Sequence, residues 1–285
     1  MHDVFYFTDI HGARPLFDAI MSYCNEQDDE AMIIFGGDAI DRGADGYQIM
    51  KELLDNPRVV YLKGNHEDMF CKAAREIKAM LNFTDTNKDE IRKILNACKN
   101  FDYKYAAIQD SLYNSGLVTL TDWVLDGMPM DIVERIEHLP VTFSYGRCDF
   151  CHSAGIYKAF AEAAEKEYNG EELAEWDVNY LIWTRASLDA DWMRHRIAVF
   201  GHTPVPYLSD YVKDMVLDEN DIKPVKWGDP SITGEKLDMD TGAVFTGRAF
   251  VLNVLTMQAQ GFEDKDFNNG EIRKHDVEKI ELIQF

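Results

Sequence analysis

The chain has 285 residues, 46% hydrophobic and 28% charged, an ordinary globular balance with enough apolar material for a large core. Its 51 acidic against 29 basic side chains give a formal charge of -22, which argues against a nucleic-acid duplex as the main partner, because that binding draws on Lys and Arg and no basic run occurs. No apolar stretch reaches the roughly 18 residues of a membrane span, and five cysteines at irregular spacing make no disulfide framework, so a soluble protein is expected.

Val4 to Thr8 is rich in β-branched and aromatic residues and reads as a buried strand that stops at Asp9-Ile10-His11-Gly12. Removing a leader of about 15 to 30 residues would delete Asp9 and His11, so a cytoplasmic location is expected. Arg14 to Cys24 carries Leu16, Phe17, Ile20, Met21 and Cys24 at helical spacing. A second strand, Met32 to Phe35, leads into Gly37-Asp38-Ala39-Ile40-Asp41-Arg42-Gly43. A helix over Asp45 to Leu54, with Met50, Leu53 and Leu54 inward, precedes a strand over Val59 to Leu62 and then Gly64-Asn65-His66-Glu67. Such alternation predicts βαβ units and a largely parallel sheet, with polar residues at the carboxyl ends of strands, where open α/β sheets place their sites.

Residues 67 to 140 read as a helical insert, with helical spacing in Met69 to Leu81, Ile91 to Cys98 and Ile132 to Leu139. Cys148 and Cys151 read as inward and outward residues of one strand rather than half of a metal ribbon, and His152 follows directly. A helix over Tyr157 to Tyr168 and a strand over Ile197 to Phe200 lead to Gly201-His202. Residues 205 to 236, with Asp210, Asp214, Asp218, Glu219 and Asp221, follow no period and read as an acidic insertion, mostly solvated, with a substrate-selecting lid as the sharper alternative. Beyond Lys236 the pattern is β again, with strands over Phe250 to Val254 and Val277 to Phe285 around a polar turn containing Asn and Gly. Because residues 9 to 202 must meet in space, one domain over 1–285 is expected.

Five apolar runs thus end in metal-ligand residue types. Asp9, His11 and Asp38 would hold one divalent ion, and Asp38, Asn65, His152 and His202 a second roughly 3.5 to 4 Å away, with Asp38 the shared carboxylate. Water between two such ions loses a proton near neutral pH, which suits phosphoester hydrolysis. His66 follows Asn65 and can stand beside the metals without binding them. Asp41 could fix its tautomer and keep it protonated as a general acid, or simply cap a turn. Arg42 lies in a Gly-flanked turn where its fork can reach phosphate oxygens. Arg185 is a second candidate clamp, or a surface partner of Asp189. His2, His138, His195 and His275 lack this context and are expected to be surface or structural.

Gly37 to Gly43 followed by Gly64 to Glu67 resembles the phosphoprotein phosphatase group of calcineurin-like metallophosphoesterases. Leu181 to Arg185, Phe200 to Pro204 and Asp240 to Phe245 extend the likeness to its bacterial and phage branch, the lambda-type protein phosphatases. The likeness covers about residues 3 to 256. It implies an α/β (α+β) fold, a four-layer αββα sandwich with a helical insert. It also implies the metal ligands named above, two divalent ions (Mn²⁺ first, with Fe or Zn as alternatives), His66 beside Asp41 as acid, and Arg42 and Arg185 as phosphate clamps. The implied activity is hydrolysis of phosphomonoesters by direct attack of a metal-bridged hydroxide, with phosphoserine or phosphothreonine in proteins leading. The alternatives are dinucleoside polyphosphate hydrolysis and a non-catalytic phospho-binding protein. One departure is Lys63 where the family often has Arg, a point charge in place of a fork.

Overall fold

The computed structural model describes every residue except 1, 84–85, 101–103, 186–187, 219–220 and 267–275. One sheet has the order β11-β10-β9-β1-β2-β3, from β1 (Val4–Phe7), β2 (Met32–Phe35), β3 (Val59–Tyr61), β9 (Arg248–Asn253), β10 (Gln258–Asp264) and β11 (Val277–Gln284). The other has the order β4-β5-β6-β8-β7, from β4 (Thr142–Tyr145), β5 (Cys148–Cys151), β6 (Ile197–Phe200), β7 (Val225–Asp229) and β8 (Gly234–Asp238).

The period of two along each strand decides the layers. Val4 and Tyr6 of β1 point between the sheets and meet Phe150, Val199 and Leu237. Phe5 and Phe7, one residue out of phase, point the other way and pack with side chains of α1 (Arg14–Gln27), α2 (Gly46–Asp55) and α3 (Asn65–Met80). On the far side, Cys151, Ala198 and Phe200 pack with Phe160 of α8 (Tyr157–Tyr168) and Leu181 and Ile182 of α9 (Glu175–Trp183). The result is helix, sheet, sheet, helix. Strands buried on both faces need continuous apolar runs, which is why VFYF, MIIF and IAVF are unbroken. A one-residue slip of β1 would exchange Phe5 and Phe7 with Val4 and Tyr6. Both faces are buried, so the cost of a slip is misfit of side-chain volume in two close-packed layers, typically about 1 to 3 kcal/mol for each overpacked site, and the register, with it the position of Asp9, is held by packing.

β1, β2 and β3 are parallel, and so are β5, β6 and β8. Neither sheet is largely parallel, however: β9, β10 and β11 join the first by antiparallel pairing, and β4 and β7 edge the second in the same way. β10 carries little strand signal, because its inward positions next to Gln258 and Gln260 are Ala259 and Gly261, which offer almost no apolar side chain. The insert folds as α3, α4 (Lys88–Cys98), α5 (Ala106–Tyr113), α6 (Leu117–Leu125) and α7 (Met130–Glu137).

The 205–236 segment is less solvated than expected. A 3₁₀ turn over Val205–Asp210 buries Val205 and Leu208, Val212 joins the same core, and β7 pairs with β8 as a hairpin at the sheet edge. Short turns of mixed polarity carry no period longer than their own length, which hid them. Glu219, His275 and the Asn-containing turn after β10 lie outside the described residues. Cys148 and Cys151 fall on opposite faces of β5, one between the sheets and one against α8 and α9, and all five cysteines are free. His2, His138 and His195 are all exposed. Among the described residues, no helix is long and apolar enough to cross a membrane.

Candidate metal centre

The carboxyl ends of five strands converge on one buried point. Asp9 and His11 follow β1, Asp38 follows β2, Asn65 opens α3 after β3, His152 follows β5 and His202 follows β6. Asp9, His11, Asp38, Asp41, Arg42 and His202 all take left-handed backbone, with φ between 46° and 70°. Such a conformation costs a non-glycine residue on the order of 1 kcal/mol and persists only where its surroundings enforce it. Here a zipper of backbone bonds does so: Asp9 N–H to Gly37 O (3.0 Å), His11 N–H to Asp38 O (3.0 Å), Gly12 N–H to Ala39 O (2.9 Å) and Gly43 N–H to His11 O (2.8 Å). Two glycines leave room for the carboxylates. A Cβ on Gly201 would overlap Asp9 Oδ2, and one on Gly64 would overlap Asp38 Oδ1.

Each carboxylate has one oxygen tied to protein donors and the other turned inward. Asp9 Oδ2 accepts from Thr8 Oγ1 (2.6 Å) and the His202 N–H (3.1 Å), and Asp38 Oδ1 accepts from the His66 N–H (3.0 Å). The imidazoles are oriented likewise. His11 Nδ1 donates to Ile40 O (2.7 Å), His152 Nδ1 to Gly36 O (2.8 Å) and His202 Nε2 to Trp183 O (3.2 Å). What remains at the centre is a set of lone pairs. Asp38 Oδ2 lies 3.5 Å from His11 Nε2, 3.4 Å from His152 Nε2 and 3.8 Å from His66 Nε2. Asn65 Oδ1 lies 3.0 Å from His152 Nε2 and 2.9 Å from His202 Nδ1.

Acceptors facing acceptors in a dry interior are unfavourable unless a cation sits among them. His11 Nε2 is buried with no hydrogen-bond partner among the described residues, and it faces Asp9 Oδ1 at 3.9 Å. The ligand atoms of His11, Asp38 and His66 lie within 4.8 Å of one another, as do those of Asp38, His152 and His202, so Asp38 is common to two groups. The donor set fits two divalent cations. Burial, then the neighbours His66 and Arg42, hold His11 well below the usual imidazole pKa; burial, then His152 and Arg185, do the same for His202, leaving both neutral as ligands must be. Burial also opposes charge on His152, but Asp38 and Asp9 outweigh it and push its pKa up to about 10, a proton standing where a cation would.

His66 is placed differently. Its Nδ1 donates to Asp41 Oδ2 at 2.7 Å, and Arg42 Nη2 stands 3.3 Å from its Nε2. Burial opposes its charge, Asp38 and Asp41 overcome that and raise its pKa, and Arg42 pulls the other way. Asp41 does not cap the next helix, where Asp45 takes that place. The Arg42 guanidinium is exposed and lies over the Phe245 ring, 5.3 Å from its centroid. Arg185 lies past the end of α9 and donates to His202 O (3.1 Å). Lys63 is not a solvated strand end: it is buried, and its Nζ donates to Glu137 O (2.7 Å) on α7. Asn114 to Gly116 forms a turn whose Ser115 carbonyl accepts from the Arg42 N–H (3.4 Å).

Four supporting residues had no role assigned from the sequence. Fully buried Glu67 accepts from the N–H groups of Asp38 (2.8 Å), Ala39 (2.9 Å) and Gly64 (3.0 Å) and from the Tyr61 hydroxyl (2.7 Å). Burial, then Asp38, raise its pKa to about 7. An acid three residues after Gly64 at a helix start was a legible capping signal. Thr8 gave none. Asp238 and Asp240 lie beside Asp9 near the end of β8; burial first, then Asp240 and Asp9, raise the Asp238 pKa well above the carboxylate range, and burial first, then Asp9 and Asp38, do the same for Asp240. The Asp240-Thr241-Gly242 segment had marked one of them.

A dinuclear cation site at strand ends between two packed sheets, with an imidazole and a guanidinium beside it, defines a metal-dependent hydrolase of phosphate esters. The chain belongs to the calcineurin-like phosphoesterase family, whose model matches residues 3–229. None of the curated proteins compared with the chain matches it. Among solved structures it is similar to a metallophosphoesterase from Sphaerobacter thermophilus (13% identity, 98% of this chain and 88% of that one, TM-score 0.46). It is also similar to a proposed diadenosine tetraphosphatase (13% identity, 98% and 93%, TM-score 0.43) and to a protein serine/threonine phosphatase from Saccharomyces cerevisiae (12%, 100% and 81%, TM-score 0.44). These likenesses concern the path of the chain and carry no substrate.

Proposed function

We propose that the chain hydrolyses phosphomonoesters, with phosphoserine and phosphothreonine side chains of proteins as the substrate class and Mn²⁺ as the metal. The observation that carries this reading is the Asp41–His66 pair, at 2.7 Å, with His66 Nε2 turned toward Asp38 and Arg42. Asp9, His11 and Asp38 would hold one ion, and Asp38, Asn65, His152 and His202 the other. Bound divalent ions supply an activated water and neutralise charge on the phosphoryl oxygens. Asp41 fixes the His66 tautomer, so that the Nε2 proton can pass to the departing alkoxide. Arg42, with Arg185 near His202, orients the phosphoryl group through paired N–H donors. The residue order Asp41-Arg42-Gly43 with Glu67 after His66 supports the protein-phosphatase substrate over dinucleoside polyphosphates.

The deciding experiment is phosphate release from a phosphothreonine peptide and from diadenosine tetraphosphate, each as kcat/KM, after chelation and again after Mn²⁺ addition. Metal-dependent release with preference for the peptide is the expected result. Preference for the dinucleotide would move the substrate to nucleotides. No release from either would overturn the hydrolytic reading in favour of a phospho-binding protein.

A further inference from the structure

The segment between α9 and β6 begins at Arg185 and is tied down at several points. Arg185 Nη2 donates to His202 O (3.1 Å), and the Leu188 N–H donates to Arg185 O (3.3 Å). Leu188 O in turn accepts from Lys236 Nζ at 3.0 Å. Lys236 lies on β8 in register with Ala198 of β6, whose side chain packs on the face covered by α8 and α9, so the lysine projects toward that face as well. The other end of the segment has separate anchors. The Trp192 N–H donates to Thr233 O (2.7 Å) and the Trp192 indole to Asp149 Oδ2 (3.1 Å).

Lysine is a costly residue at this place. Lys236 is only 3% exposed and lines a hollow of about 200 Å³ with Asp189, Asp191, Trp192 and Trp227. Burial lowers its pKa to about 8 against the opposing pull of Cys151, Asp189 and Asp191, so at neutral pH the folded chain still carries an ammonium here. A buried ammonium costs stability that an apolar side chain of similar volume would not. What it supplies and an apolar side chain lacks is a charge-assisted donor for the Leu188 carbonyl. A local rule broken in this way calls for a compensating gain in function.

We infer that Lys236 is a positioning residue for Arg185: by holding Leu188 O it fixes the start of this segment, and with it the guanidinium that orients the phosphoryl group, an assignment that rests on the hydrolytic reading of the same site. Lys236 is not among the metal ligands and acts through Arg185. Without its ammonium the Leu188 carbonyl loses a donor and the segment can shift. A displacement of about 1 Å is enough to spoil the alignment of paired N–H donors with phosphoryl oxygens.

The test is a double-variant cycle on the binding of inorganic phosphate to the Mn²⁺-loaded protein, read by calorimetry, with turnover of a phosphothreonine peptide measured alongside. Arg185→Ala should weaken phosphate binding about tenfold and Lys236→Met about three- to tenfold, whereas the double variant should match Arg185→Ala within twofold. Mn²⁺ affinity should stay within threefold in all of them, since His202 keeps its bond to Trp183 O (3.2 Å). Lys236→Arg retains a charged donor and should bind phosphate within twofold of wild type. A role in packing alone gives the reverse order, with Lys236→Met nearer to wild type than Lys236→Arg.

That reverse order, an unchanged phosphate affinity in Lys236→Met, losses that multiply in the double variant, or an equal loss of Mn²⁺ each overturns the positioning role; the hydrolytic reading then stands wherever the wild type turns over the peptide. If the wild type binds phosphate without turnover and the cycle is non-additive, the positioning role stands and the hydrolytic reading falls. Absence of both phosphate binding and turnover overturns both. Should Lys236→Met fail to fold, Lys236→Gln, too short to reach Leu188 O, takes its place in the cycle.

Discussion

Glu67→Gln probes the scaffold of the metal centre without touching a ligand. The wild-type carboxylate takes four hydrogen bonds, three from backbone N–H groups and one from Tyr61, in full burial. An amide of the same shape keeps one acceptor oxygen and turns an NH₂ toward groups that are themselves donors. If the oxygen stays on the Asp38 and Gly64 side, the NH₂ meets the Ala39 N–H and the Tyr61 hydroxyl. The hydroxyl can rotate to accept, but the buried Ala39 N–H cannot. One orphaned buried donor costs about 1 to 3 kcal/mol, and the charge-assisted character of the remaining bonds is lost as well. For a chain of this size the sum corresponds to a fall in Tm of roughly 5 °C or more. Because Glu67 pins the left-handed Asp38 backbone, cation affinity should also drop about 10- to 100-fold. Differential scanning calorimetry of the metal-free protein and isothermal titration with Mn²⁺ read the two effects separately. A variant within 1 °C of wild type that binds Mn²⁺ equally well would show that the four bonds do not hold the site.

His66→Asn should lower kcat about 10²- to 10⁴-fold on a phosphothreonine peptide and much less on p-nitrophenyl phosphate, whose leaving group needs no proton; equal losses on both would remove His66 as the acid. Gly201→Ala places a methyl where Asp9 Oδ2 now lies, so it should weaken cation binding at least tenfold in a chain whose circular dichroism is unchanged; unchanged affinity would mean that Asp9 is not held as described. Lys236 is buried, donates to Leu188 O at 3.0 Å, and has its pKa lowered by burial from 10.5 to about 8. Between those pH values the unfolded chain binds more protons at this residue than the folded one, so its contribution to stability rises with pH, by about 3 kcal/mol in all. Denaturant melts of wild type and Lys236→Met at pH 7 and pH 10 should show the wild type gaining on the variant by that order, and a constant difference would contradict the shift.

Local order and chemistry were legible in the residues themselves. The runs at Val4, Met32, Val59 and Ile197 are apolar throughout because both faces of their strands are covered, and each ends where polar residues gather in the buried centre. That is enough to place Asp9, His11, Asp38, Asn65, His152 and His202 at strand ends, and the spacing Gly64 to Glu67 carries the helix start with them. What no local pattern holds is the pairing between segments far apart in the chain. The pairing of β9 with β1, Leu252 against Tyr6 and Asn253 against Phe5, turns the first sheet from parallel to mixed, and Val205, Leu208 and Val212 enter a core with Leu181, Ala198 and Phe200, which exclude water from them.

The electrostatics of the site are tertiary for the same reason. Whether His152 carries a proton, His11 stays neutral or Glu67 titrates near 7 depends on which charges come within a few ångströms in a medium without water, and those neighbours arrive from five strand ends in two sheets. Residue identity alone determined what this chain can ligate and protonate. The fold decided that Asp38 stands between His11 and His152, that Lys63 reaches Glu137, and that the Phe245 ring lies against Arg42: distance and desolvation belong to the packed molecule and to no segment of it.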